Sequence, residues 1–176
     1  MRFTAIFFAL AMALHALAQT VDTPHNHSIE SGGAAVGNVI DGSVEPDKIR
    51  DVDAYRLFLV TVAAPATPTE QEHAQQLALL KPVGLESPDL DATIKALASF
   101  KAQYDDLIRK YNDSALIADV HGTEPDIKSF LSKRDSLVES TRSELQAALT
   151  PVGMSTLDKY VKDEKKNMKI AVEDEE

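Results

Sequence analysis

Two histidines one residue apart, His25 and His27, are the side chains in this sequence that look most like a chemical site. Neutral imidazoles at that spacing, helped by Asp22 or Glu30, suit a soft divalent metal. The amino-terminal copper geometry would instead need histidine at the third position of the exported chain, which is Val21. The segment around the pair is rich in Ser, Thr, Asn and Gly, so a solvated linker is the plainer reading and the metal site its competitor. His73 follows Glu70 and Glu72 on an exposed helical face, and His121 stands near a helix end. A C-terminal cap is sufficient reason for the latter.

Other reactive groupings are missing. The chain has no cysteine, so neither thiolate catalysis nor a disulfide is available. No serine sits in a Gly-x-Ser-x-Gly elbow, and neither a phosphate-cradling glycine loop nor a paired-histidine zinc helix occurs. Carboxylates are plentiful but recur at helical spacing on solvent faces, whereas acid/base chemistry needs two of them converging in a cleft. The residues therefore predict no enzyme and no cofactor.

What remains is recognition. Lys101 and Arg134 interrupt otherwise apolar helical stripes, where they either snorkel to the rim, pair with carboxylates, or form a polar notch in a groove. Taken with the apolar side chains around them, Tyr55, Phe58, Leu97, Lys101, Tyr104 and Arg134 are the candidate residues for contact with a protein or peptide partner. Lys159, Lys162, Lys165, Lys166 and Lys169 make a basic strip, but Asp158, Asp163 and Glu164 interleave it and leave little attraction for a membrane surface.

The elements that must position these residues are helices. Two long runs free of glycine and proline, Asp89 to His121 and Asp126 to Thr150, are joined by Gly122-Thr123-Glu124-Pro125. At helical period the first run aligns Leu90, Ile94, Leu97, Phe100, Tyr104, Leu107, Ile108 and Tyr111. The second aligns Ile127, Phe130, Leu131, Leu137, Val138, Thr141, Leu145 and Ala148. So short a link predicts antiparallel neighbours. Ala54 to Ala64 is apolar nearly all round and belongs in the middle of a bundle, with a buried strand over Leu57 to Val62 as the alternative. Asp51 or Asp53 is the expected cap of that helix. Thr67-Pro68-Thr69-Glu70 reads as a capping box, Ser87-Pro88-Asp89 and Thr123-Glu124-Pro125-Asp126 as further helix starts, and Thr150-Pro151 as the last. That last helix is predicted to run through Met168, with Lys165, Lys166 and Lys169 in its final turns. Asp105 with Arg109 and Asp106 with Lys110 are expected ion pairs at four-residue spacing. The expected fold is all-α, an antiparallel bundle of about five helices over residues 48–171, followed by an acidic tail, 172–176.

The amino-terminal part is of another kind. Met1-Arg2, the apolar run Phe3 to Leu14 and Ala16-Leu17-Ala18 form a leader pattern over residues 1–18, with cleavage predicted between Ala18 and Gln19. Residues 19–47 read as a flexible arm, with Asn38 to Ser43 as an extended piece and turn against the body. Export to the periplasm or beyond follows from the leader, and no later stretch is apolar enough to span a bilayer. The chain carries 18 basic against 28 acidic residues, a net charge of −10. Such a surface repels phosphate backbones, which argues against a nucleic-acid partner.

Leu149-Thr150-Pro151-Val152-Gly153, ahead of an amphipathic helix, resembles the Leu-Thr-x-x-Gln helix starts of the Spy/CpxP-type periplasmic chaperones, with Ala66 to Glu70 as a second, degenerate copy. The chain departs from that pattern at Gly153, at Ala66 and in its acidic charge. Over more of its length it resembles uncharacterised exported bacterial proteins with an Ile-Asp-Gly-Ser segment (Ile40 to Ser43), an Ala-Tyr-Arg-Leu helix (Ala54 to Leu57) and a Glu-Lys-Lys-x-Met-Lys ending (Glu164 to Lys169). Both resemblances imply an exported helical protein, and the first implies a chaperone-like role without enzymatic activity. Two other readings stand beside that one: a structural module self-associating through the 19–47 arm, and a divalent-metal binder through His25 and His27.

Overall fold

The structure, a computed structural model, describes residues 39–171, all within the compact unit Gly37–Glu176. It is mostly helical, at 78%, and its sheet is a single pair of short strands. In chain order the elements are β1 (Val39–Asp41), α1 (Asp51–Val62), α2 (Glu70–Leu80), α3 (Ser87–His121), α4 (Ile127–Ala148), α5 (Pro151–Glu164) and β2 (Lys169–Ala171). The leader, the His25/His27 pair and the acidic tail lie outside the described residues.

α1 is helical throughout, which removes the strand alternative for Leu57 to Val62. It touches each of the other four helices. Its apolar circumference is the reason: Ala54, Tyr55, Phe58, Leu59 and Val62 are all buried, and only a segment with several apolar faces can serve several neighbours. The core gathered around it holds Leu80, Val83, Leu97, Phe100, Val138, Leu145, Leu157 and Val161. Gln76 of α2 is buried too, and its amide donates to the Val62 carbonyl (3.0 Å), satisfying an acceptor that the end of α1 leaves open.

Several helix starts differ in detail from the sequence reading. Neither Asp51 nor Asp53 caps α1; Arg50 holds the N-cap position and Asp53 turns back to its guanidinium (2.8 and 3.0 Å). The capping box of α2 forms at Thr69 and Glu72, two residues beyond the expected Thr67 and Glu70. The later register puts both Glu70 and Glu72 in the first turn, where the helix dipole favours them. α3 begins at Ser87 with Glu86 at the N-cap position and no side-chain cap, and the Asp89 carboxylate of its first turn accepts instead from the Thr150 amide (2.8 Å) and hydroxyl (2.6 Å). Asp126 caps α4 through the Ser129 amide (2.9 Å), and Thr150 caps α5 through that of Gly153 (3.0 Å).

α5 ends at Glu164, short of the predicted end, and Lys165–Asn167 form a 3-10 turn. The chain is diverted by what it meets. Gly42 donates its amide to the Met168 carbonyl (2.8 Å), and β2 pairs antiparallel with β1, Ile40 opposite Ile170. Lys165 therefore does not neutralise a helix end. Its ammonium donates to the Ile49 carbonyl and to Asp51, both at 2.6 Å. Residues 39–47, placed at the end of the flexible arm by composition, thus form a strand, a turn and a 3-10 segment on the body.

Candidate partner-binding surface

Three of the six candidate contact residues are sealed in. Tyr55 and Leu97 are 1% and 0% exposed, and Phe58 packs edge-on to Tyr160 with ring centres 6.2 Å apart. A partner could reach them only by opening the core. Tyr55 also closes a polar triad: its hydroxyl donates to Asp158, and the Arg142 guanidinium lies 4.8 Å above its ring and 3.4 Å from the same carboxylate. Burial first, and then the Asp158 contact, push the phenol well above its ordinary pKa. The group is thus fixed as a hydrogen-bond donor and is unsuited to proton abstraction near neutral pH. The triad ties α1, α4 and α5 together.

The two cations do not form a shared notch. Lys101 pairs with Asp105 of its own helix (2.6 Å), while Arg109 joins Lys110 on Asp106 in place of the expected Asp105. Arg134 lies against the neighbouring Asp135 (2.7 Å), which also receives Arg50 (3.3 Å). The chain Asp53–Arg50–Asp135–Arg134 links α1 to α4. Tyr104 is half-buried and stacks on Phe100 at 5.3 Å.

Past Tyr104 the hairpin of α3 and α4 continues alone. From Asp105 to His121 and from Ile127 to Leu137 no residue is buried. At 1.5 Å per residue the α3 part of this extension is about 25 Å long. Half-buried Leu107, Tyr111, Phe130 and Leu137 face one another along it, with the Tyr111 and Phe130 rings 4.5 Å apart. They floor a groove of about 590 Å³ rimmed by Asp106, Lys110, Asp126 and Lys133. The turn is closed by Gly122 in the left-handed conformation (φ 65°), which lets the amides of Gly122 and Thr123 reach the carbonyls of Asp119 and Ala118.

At that end stand apolar side chains outside the α3 stripe, together with Ile127 of the α4 stripe, which is exposed instead of covered. Leu116, Ile117 and Val120 are 66%, 60% and 76% exposed, and Ile127, at the start of α4, is 49% exposed. The signal was available. Ala115 and Ala118 follow Tyr111 by four and seven residues and continue the inner stripe, so Leu116, Ile117 and Val120 fall on the opposite side of the helix. Small residues face the partner helix there and large apolar ones face water. That order reverses what folding alone would select.

The remaining clusters are mixed. A depression of about 710 Å³ over the start of α5 is lined by Met154, Asp158, Lys159 and Lys162, whose charges oppose one another. Among the described residues no three His, Cys, Asp or Glu side chains converge as for a metal ion, and no helix is long and apolar enough to cross a membrane. Comparison with protein-family models, with curated proteins and with solved structures finds no match for this chain.

Proposed function

We propose that this chain is an exported, non-enzymatic helical protein, an antiparallel bundle that binds extended polypeptide at the outer end of its α3–α4 hairpin. One observation carries the reading: the hairpin runs about 30 Å past Phe100, the last buried residue of α3, and ends in exposed Leu116, Ile117, Val120 and Ile127. Large apolar side chains within one helical turn, kept in water on a projecting element, suit contact with another molecule. The leader pattern of residues 1–18 supports export, and the resemblance to periplasmic chaperones agrees with the activity. The binding face moves, however, from the buried Tyr55, Phe58 and Leu97 to the hairpin.

The test is suppression of aggregation of a reduced, unfolding client by the mature chain, compared with the Leu116→Ser/Ile117→Ser/Val120→Ser variant. Exposed positions contribute within about 0.5 kcal/mol to stability, so the variant should melt like the parent. Suppression by the parent, lost in the variant, is the expected result. Absence of suppression by the parent, or equal suppression by both, would remove the proposal.

A further inference from the structure

We infer that the hairpin apex selects cationic apolar peptide segments, a preference that rests on the binding role proposed for the hairpin and adds the chemistry of the partner. The apolar side chains stand among carboxylates. Asp113 precedes Leu116 by three residues and Ile117 by four, and Asp119 follows Leu116 by three, so both flank the patch on the helix surface. Glu124 lies in the turn, and all three are exposed. The nearest cations on α3, Arg109 and Lys110, are both drawn to Asp106 one turn further in. Lys128 is the one cation between Asp113 and Ser129, against Asp113, Asp119, Glu124 and Asp126. A partner that buries Leu116 and Val120 must bring its own rim against these acids, and lysine or arginine beside its apolar side chains complements them.

The same observations disfavour other occupants. Four side chains exposed by half to three-quarters offer roughly 300–400 Å², about half of the ~800 Å² per partner that a stable dimer requires. Two apices meeting would also oppose identical acidic rims. Anionic lipid is repelled by the same carboxylates.

The probe is a fluorescein-labelled peptide of alternating leucine and lysine, with a counterpart carrying glutamate for lysine, titrated against the full chain by anisotropy. The cationic peptide should bind about tenfold more tightly, and the difference should shrink as salt rises from about 0.05 M to about 0.5 M. Asp113→Asn/Asp119→Asn/Glu124→Gln should erase the preference, whereas Leu116→Ser/Val120→Ser should weaken both peptides, with helical circular dichroism unchanged in each variant. Equal binding of the two peptides, still sensitive to Leu116→Ser/Val120→Ser, overturns the charge selection and leaves the hairpin as the binding element. Binding insensitive to that variant, or no binding of either peptide, overturns both. Apex-dependent binding to phosphatidylcholine vesicles in place of peptide assigns the patch to a lipid surface and ends the inference.

Discussion

At the scale of single residues, Gly153 shows how a departure from a motif acquires a physical cause. A Cβ there would collide with the Asp89 carboxylate, which sits against the first turn of α5 to accept from Thr150. A glutamine of the Leu-Thr-x-x-Gln pattern could not occupy the position without expelling Asp89. The Thr150 hydroxyl and amide, in that order, hold this carboxyl below the usual aspartate range, so the charged form is the one the fold binds. Gly153→Ala should therefore lower stability by about 1–3 kcal/mol, the usual cost of overpacking, measured by urea or thermal unfolding. The effect should largely vanish in an Asp89→Ala background, where the obstructing carboxylate is gone. An unchanged cost in that background would mean that the alanine strains something other than the Asp89 contact. None of this was legible in the sequence, because a separation of 61 positions between Asp89 and Thr150 conceals the pairing.

At the scale of elements, helices were legible and their endings were not. The proline and glycine joints separate the chain into the five helices observed, since breaking a helix is a local property of the chain. Where α5 stops is decided by a strand from the other end of the unit, which no local pattern reports. That clasp has a pH signature. Asp41 is held down from 3.8 to about 2, first by the hydrogen bond from Lys169 and then by those from Ser43. Since its folded-state value is depressed, its contribution is complete above the ordinary aspartate range and is lost as pH falls from 3.8 toward about 2. Asp41→Asn should thus melt below the parent at neutral pH and should show a shallower fall in Tm across that acid interval. Asp51, Glu72, Asp89 and Asp106, whose carboxyls are also lowered, would contribute to the fall that remains. Parallel Tm curves for the two proteins between pH 4 and pH 2 would show that the clasp contributes nothing through this charge.

At the scale of the whole described unit, burial is divided unequally, and the division is what makes the hairpin a candidate for function. α1 and α5 are held by buried Tyr55, Leu59, Leu157 and Val161, whereas the outer hairpin relies on half-buried rings, the Asp106 and Lys101 ion pairs and its two caps. The sequence gives the hairpin its length but treats both long stripes as evenly buried, because periodicity reports which side of a helix is apolar and not whether anything covers it. Helices without tertiary cover open locally at low cost, so stability should be graded along α3. Amide hydrogen exchange should find Thr93 to Phe100 exchanging at the rate set by global unfolding, and Asp105 to His121 and Ile127 to Leu137 exchanging orders of magnitude faster. Addition of a cationic apolar peptide should slow exchange over Asp113 to Ile127 and leave α1 and α5 unaffected. Uniform protection from Ser87 to His121 in the free protein would place the hairpin inside the cooperative unit, and the exposed apex would then have to bind as a rigid surface.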